Sequence, residues 1–343
     1  MNSIYDSNAL EALCRDPHRR KLFRNAFFKK ALPLEECLEK APELSGKLNF
    51  QCLEIIERHD SQRDGATKLV FTCLGGTAAS PSAGIEADAP PAREKIEAVI
   101  LRIASGRTSL CISSQVGCAA DCQFCATGKL GFIRNLTAAE MLDQVLFAKR
   151  LLREEGRTLR NVVVMGMGEP LRNEENLFQC LEILRDPRFF NLSDNHLLVS
   201  TVGIPDAMLR FAERFPRIRL ALSLHSARQE VRERIMPVAK FQTLEKLKSV
   251  FPKVGEFMVE YLMLKGINDG PEDLAALITF LHGTKAHINL IQFNPHPGAQ
   301  FEPVSKEARE AFGDELKRAG FKVTLRYSLG DDIAAACGQL AGK

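Results

Sequence analysis

The chain has 343 residues, of which 45% are hydrophobic and 26% are charged, and its formal net charge is +3. These values are typical of a globular protein with about two domains, at roughly 150 residues per domain, and they exclude a polycation. No stretch is apolar enough to span a membrane, and residues 1–10 lack the apolar core of a secretion signal. We therefore expect a cytoplasmic protein without membrane contact.

The first part of the chain, residues 1–50, shows short amphipathic patterns separated by prolines, and we predict a small helical accessory domain. Basic residues between positions 15 and 30 are interleaved with Phe23, Phe27 and Phe28. A surface that binds nucleic acid requires such a mixture of cationic and aromatic side chains. An amphipathic helix with a solvated basic face explains the pattern as well, so both interpretations stay open at this point.

A second region, residues 51–104, alternates in short runs that predict small strands, for example at 68–71 and 96–103. Residues 75–93 are rich in Gly, Ala, Ser and Pro and contain few large apolar side chains. Such a composition is typical of a flexible surface loop, so we interpret this segment as a linker.

The third region, residues 105–343, alternates between strand and helix patterns, which predicts a parallel sheet with right-handed crossovers. The predicted strands are 162–165, 197–200, 219–224, 257–263, 288–293 and 322–326. The predicted helices include 137–146, 174–185, 206–215, 271–282 and 306–319. About six such units are too few for a closed eightfold barrel, so we expect an α/β fold with a partial, open TIM-like barrel. Its ligands should then lie at the carboxyl ends of the strands.

Ten cysteines in a chain without a secretion signal indicate metal or thiol chemistry rather than disulfides. We interpret five scattered cysteines as packing residues, namely Cys14, Cys37, Cys52, Cys73 and Cys180. Cys118, Cys122 and Cys125 are closely spaced, as the thiolate ligands of an iron–sulfur cluster often are. Three ligands leave one iron of a four-iron cluster open, which a catalytic metal site requires. The alternative, structural zinc, prefers four ligands in paired Cys-x-x-Cys motifs, and the chain has no second such pair.

A Gly-Glu pair follows the first predicted strand after this loop, in the run from Val164 to Pro170. Glycine at the end of a strand allows a ligand to approach the backbone closely, so we select Gly168 and Glu169 as binding residues. A simple turn is the alternative.

The cysteine spacing, with Phe124 before the third cysteine, resembles the radical S-adenosylmethionine (SAM) superfamily. This resemblance implies a [4Fe-4S] cluster on Cys118, Cys122 and Cys125, whose open iron binds SAM before reductive cleavage to a radical. Longer motifs resemble the RlmN/Cfr family of RNA adenine methyltransferases over roughly residues 94–342. These motifs lie at 111–118, 131–136, 165–170, 223–225 and 330–340.

The family resemblance implies methylation of C2 or C8 of an adenosine in 23S rRNA, with tRNA as a second RNA. It also implies that the N-terminal domain binds RNA, that a flavodoxin-like protein donates electrons, and that the chain is a monomer. The residues implied to contact SAM are Gly168, Glu169, Ser200, Ser223, Leu224, His225 and Asn294.

The same resemblance implies chemistry at two further cysteines. SAM methylates Cys337, the radical abstracts a hydrogen atom from that methyl group, and the carbon adds to adenine. Cys111 then attacks the sulfur of Cys337, which releases the base and forms a disulfide, while Glu97 takes the proton of the base. On position alone, Cys337 could equally be a buried thiol and Glu97 an ordinary surface carboxylate.

The sequence leaves the methylated carbon open, because Ser200–Gly203 resembles the C8 branch of the family whereas Gly330–Ile333 resembles the C2 branch. Two other functional classes also stay open. One is a radical SAM enzyme that acts on a protein or a small molecule, and the other is a non-catalytic RNA-binding protein with a structural metal.

Overall fold

The computed structural model describes residues 2–74 and 94–341, so the predicted linker at 75–93 lies outside the described residues. The strands are β1 (Asn2–Ser3), β2 (Leu48–Asn49), β3 (Leu53–Asp60), β4 (Ala66–Cys73), β5 (Lys95–Arg102), β6 (Thr108–Ile112), β7 (Gln115–Gly117), β8 (Phe132–Asn135), β9 (Asn161–Val164), β10 (Leu197–Thr201), β11 (Arg219–Ser223), β12 (Glu256–Met263), β13 (Lys285–Gln292) and β14 (Lys322–Arg326). The α-helices are α1 (Ser7–Leu13), α2 (Pro17–Arg24), α3 (Leu34–Leu38), α4 (Ala126–Lys129), α5 (Ala138–Glu154), α6 (Glu174–Arg185), α7 (Pro205–Arg214), α8 (Gln229–Ile235), α9 (Leu244–Val254), α10 (Pro271–Leu281) and α11 (Lys306–Arg318). Within the described ranges, no helix is both long enough and apolar enough to cross a membrane.

The core of the fold is a sheet in which β6 and β9 to β14 pair in parallel, one after another. All six predicted strands of this region are present. Most of them contain the apolar runs that are typical of strands buried on both faces. Strand β6 adds one parallel strand that the sequence pattern did not separate from the cysteine loop. The predicted α/β fold with a partial, open barrel is confirmed.

The sheet continues beyond β6 through antiparallel strands, in the order β6-β5-β4-β3, to a total of ten strands. The strands predicted within 51–104 therefore extend the barrel sheet directly. The boundaries of the three proposed domains, 1–50, 51–104 and 105–343, stay a prediction.

The three N-terminal phenylalanines form part of the core. Phe23, Phe27 and Phe28 are fully buried, and the ring of Phe28 packs 4.9 Å from that of Phe189. Buried rings cannot stack on bases, so the interleaved pattern reflects an amphipathic helical face. At the same interface, Asp143 of α5 accepts a hydrogen bond of 2.7 Å from the hydroxyl of Tyr5. Burial raises the pKa of Asp143 to about 6.

The β7–β8 hairpin holds the cysteine loop at its base. It contains two glycines with similar backbone angles but different surroundings, whose replacement by alanine can be compared. Gly117 and Gly131 both have left-handed backbones, with φ of 74° and 69°. A Cβ on Gly117 would overlap the carbonyl oxygen of Gly131, whereas a Cβ on Gly131 would meet nothing within 4 Å.

We expect Gly131→Ala to lower the free energy of unfolding by about 1–2 kcal/mol, the cost of a left-handed alanine. Gly117→Ala should lower it by about 1–3 kcal/mol more, because the added methyl group also displaces backbone. Urea unfolding of the two variants checks this difference, and equal losses would contradict the packing of the hairpin.

Candidate active site

The three clustered cysteines line a cavity of about 130 Å³ at the carboxyl ends of the parallel strands. Cys118 and Cys122 are buried and Cys125 is half-buried. The predicted SAM-contact residues Gly168, Glu169, Ser200, Ser223 and His225 line the same cavity. The structure thus brings together the cysteine loop and five of the seven residues selected for SAM.

The other two selected residues lie elsewhere. Leu224 is fully buried in the main core, although its neighbours Ser223 and His225 line the cavity. It follows the last residue of β11, and the next residue, His225, has a left-handed backbone with φ of 57°. The amide of Asn294 donates a hydrogen bond of 3.1 Å to the backbone carbonyl of Cys337. Asn294 therefore supports the C-terminal segment and does not line this cavity.

Glu169 organises the turn after β9 through its carboxylate. One oxygen accepts a hydrogen bond of 2.7 Å from the backbone N–H of Val202, and the other accepts one of 3.0 Å from Leu171. The side chain is buried, which raises its pKa. Gly168 has φ of 103°, and a Cβ there would lie 2.6 Å from the Cβ of Gln115. Glycine is therefore required for the turn to close against β7.

His225 is a neutral imidazole in a fixed orientation. Its Nδ1 accepts a hydrogen bond of 3.0 Å from the backbone N–H of Leu262, and its ring packs edge-on at 4.8 Å from Phe124. Burial and the neighbouring Arg232 lower the pKa of His225 to about 3. The proton therefore resides on Nε2, where it can be donated to a ligand.

Cys111 and Cys337 line a second cavity, of about 440 Å³, together with Arg326. Cys125 lines both cavities, which therefore lie next to each other. Cys337 is accessible to solvent within this cavity although protein atoms surround it. Burial raises the pKa of Cys111 to about 12, and the charge of Arg326 opposes this shift. The two cysteines selected for displacement and resolution thus share one chamber next to a ligand of the proposed cluster.

Glu97 lies in β5, outside this chamber, and lines a neighbouring cavity of about 460 Å³. It is buried, and one carboxylate oxygen lies 3.4 Å from the ammonium group of Lys68. The other oxygen accepts a hydrogen bond of 3.1 Å from the backbone N–H of Ala341. The side chain is therefore a paired, buried carboxylate that contacts the same C-terminal segment as Cys337.

This segment, residues 330–341, is here named the tail. The N–H of Gly330 donates to Asp64 at 2.8 Å, and the hydroxyl of Ser61 donates to Asp332 at 2.8 Å. At its far end, the hydroxyl of Thr127 donates to the carbonyl of Leu340 at 2.6 Å. The tail is thus held by the β3–β4 turn on one side and by the cysteine loop on the other.

The chain is similar to known proteins both in sequence and in structure. A model of the radical SAM superfamily matches residues 112–280. A probable RNA methyltransferase of Rhodopirellula baltica is 45% identical, over 98% of this chain and 87% of that protein. A probable dual-specificity RNA methyltransferase RlmN of Thermus thermophilus is 39% identical, over 92% of this chain and 84% of that protein. The chain belongs to the RlmN family of radical SAM proteins. A radical SAM methyltransferase of Sphaerobacter thermophilus superposes with a TM-score of 0.85 at 31% identity and full coverage of both chains.

Radical SAM proteins of the RlmN family use a [4Fe-4S] cluster and SAM, and the cysteine loop fits such a cluster. Among residues 2–74 and 94–341, no three Cys, His or acidic side chains converge closely enough for a single metal ion. The three thiols instead border a shared cavity. Burial raises the pKa of Cys118 to about 12, so a bound cation is needed to hold it as a thiolate.

Arg326 is a site residue of this RlmN-family chain that sequence reasoning missed. It ends β14, faces the chamber of Cys111 and Cys337, and lies 3.7 Å from buried Glu260. The amide of Asn289 donates to the other oxygen of Glu260 at 2.8 Å. The only available signal was a charged residue at the carboxyl end of a predicted strand, where barrel ligands bind.

Proposed function

We propose that the chain is a radical SAM methyltransferase that transfers a methyl group to an adenosine of RNA through Cys337. The observation that carries this proposal is the pair of adjacent cavities, one lined by three clustered cysteines and the other by Cys111 and Cys337. A radical SAM enzyme without a cysteine relay has no need of the second pair. The two relatives are named as RNA methyltransferases, which supports this function.

The cluster and SAM, when bound, supply one-electron reduction and a transferable methyl group. The chain supplies the remaining groups. Cys337 is the accessible thiol and accepts the methyl group, and Arg326 stabilises its thiolate form electrostatically. Cys111 is the resolving thiol, since attack on the sulfur of Cys337 forms a disulfide and frees the bound carbon. His225 and the serines at the strand ends orient the cofactor.

We assign the removal of the base proton to Glu97. Its carboxylate contacts the tail that carries Cys337. Val99, two residues further along β5, lines the chamber, so Glu97 points to the same face of the strand although it lies in the neighbouring cavity. General base catalysis contributes about 10²- to 10⁴-fold. Glu97→Gln should therefore slow methyl transfer to RNA at least about 100-fold.

The matched measurements separate this role from a structural one. Glu97→Gln should still acquire the methyl group on Cys337, as intact-protein mass spectrometry would detect, because that step needs no base at adenine. Lys68→Met removes the partner of Glu97 and serves as the control for loss of the ion pair. Equal losses of methyl transfer in the two variants would contradict the base role.

The RNA is 23S rRNA, with tRNA as the second candidate, and the target carbon is C2 or C8 of adenine. The target base has to leave its stack to reach the chamber. We also propose a flavodoxin-like electron donor, a monomeric state and a cytoplasmic location. Sequence-resolved mass spectrometry of 23S rRNA and tRNA, from cells with and without the protein, tests the function. RNA in which no adenosine differs by a methyl group would overturn it.

A further inference from the structure

A polar pocket of about 650 Å³ lies at the amino ends of the parallel strands, opposite the active site. It is formed by the three loops that precede β6, β9 and β10. Arg107, Arg157, Arg160 and His196 line it together with several hydroxyl groups. We name this feature the basic pocket. Nothing in the proposed methyl transfer uses it.

The guanidinium groups of the basic pocket are not neutralised by neighbouring acids. In the part of the chain that the structure describes, Arg107, Arg157 and Arg160 are exposed and form no ion pair. The adjacent acids are already engaged, because Glu155 pairs with Arg102 at 2.6 Å and Asp194 pairs with both Arg185 and Arg217. The formal net charge of the whole chain is only +3, so three unpaired arginines make this pocket a strongly basic patch on a nearly neutral chain.

The floor of the basic pocket is fixed by side-chain hydrogen bonds between its loops. The hydroxyl of Thr108 donates to the carbonyl of Thr158, and the N–H of Arg160 donates back to Thr108 at 3.3 Å. Asn161 joins the third loop, since its amide oxygen lies 2.9 Å from Nδ1 of His196. The backbone that carries these cationic side chains is therefore held in place before any ligand arrives, which lowers the cost of binding.

We propose that the basic pocket binds phosphate groups of the RNA backbone, away from the nucleotide that reacts. Guanidinium groups bind phosphate oxygens in pairs of parallel hydrogen bonds, and hydroxyl groups add further donors. The pocket and the chamber of Cys111 lie at opposite ends of β6, and five residues of strand span roughly 16 Å. One RNA molecule thus contacts the enzyme at two separate places. This inference rests on the proposed function only for the choice of RNA as the polyanion.

The test compares the full-length chain with the triple variant Arg107→Gln/Arg157→Gln/Arg160→Gln. Filter binding uses unmodified transcripts of 23S rRNA and of tRNA over a range of salt concentrations. The Kd should rise at least about tenfold at low salt. The slope of log Kobs against log salt should fall by about 2, since each phosphate contact contributes roughly 0.7–0.9.

The matched control is Arg210→Gln/Arg214→Gln/Arg318→Gln, which removes the same charge from exposed arginines that already have acidic partners. The control should bind RNA nearly as the unmodified chain does. In methylation assays, the pocket variant should raise KM for long RNA and leave kcat at saturating RNA unchanged.

The possible outcomes separate the two proposals. If the pocket variant binds RNA like the control while RNA is still methylated, the basic pocket is not an RNA site and the proposed function stands. If binding falls in the pocket variant alone but no RNA gains a methyl group, the pocket stands and the proposed function fails.

Discussion

Replacing Cys337 with alanine should reduce RNA methylation to background, whereas replacing Cys111 should arrest the reaction at a covalent protein–RNA adduct. Both thiols line the same chamber, but only Cys337 is openly accessible there, so we assign it as the acceptor of the methyl group. Without Cys337 no carbon–sulfur bond to the base can form. Without Cys111 no second thiol is available to break that bond.

Denaturing gel electrophoresis of reaction mixtures with labelled RNA distinguishes the two variants. The Cys111→Ala protein should comigrate with RNA, and the Cys337→Ala protein should not. Cys73→Ala is the matched control, because Cys73 is also only partly buried but lies outside both cavities. An adduct that accumulates in Cys337→Ala would reverse the two assignments.

Replacing Cys122 with alanine should remove nearly all iron and abolish cleavage of SAM. Cys122 is buried in the wall of the first cavity, and no other cysteine besides Cys118 and Cys125 lines that cavity in the described chain. With only two thiolates, a second iron of the cluster has no cysteine ligand and the cluster is no longer held by the protein. Iron content should therefore fall from about four atoms per chain towards zero.

The measurements are iron and sulfide content, visible absorbance and formation of 5′-deoxyadenosine under reduction. Cys180→Ala is the control, since Cys180 is buried in α6 far along the chain from the cysteine loop. The far-ultraviolet circular dichroism of both variants should match that of the unmodified protein. A Cys122→Ala protein that retains four iron atoms would show that other residues bind the cluster.

Most of the barrel strands were predictable because they contain an apolar run of the length that a buried parallel strand requires, although no residue of β14 is buried. Strand β6 was not, since only two serines separate its five residues from β7 and the cysteine loop that follows it. The N-terminal phenylalanines were ambiguous for another reason. Residues at helical spacing share a face, but the pattern does not say whether protein or solvent covers that face.

In the site, the residues with distinctive chemistry and spacing were predictable, and those defined by register were not. Leu224 was selected with its neighbours, although it follows the end of β11 and its side chain is buried in the core. The pairing of Glu97 with Lys68 depends on the β4–β5 register, which aligns Glu97 with Val70. Arg326 lines the chamber of Cys337 because β14 pairs with β13 as the last parallel strand of the sheet.

The tail has a further consequence for how the molecule is assembled. Its hydrogen bonds to Asp64 and Ser61 join residues that are 266 and 271 positions apart in the chain. Contacts that close such long loops are established late during folding, after local pairs of strands and helices. We therefore expect the thiol of Cys337, which lies on the tail, to enter its chamber only when the surrounding walls exist. A nascent chain would then keep the thiol that we assign as methyl acceptor away from an unfinished cofactor pocket.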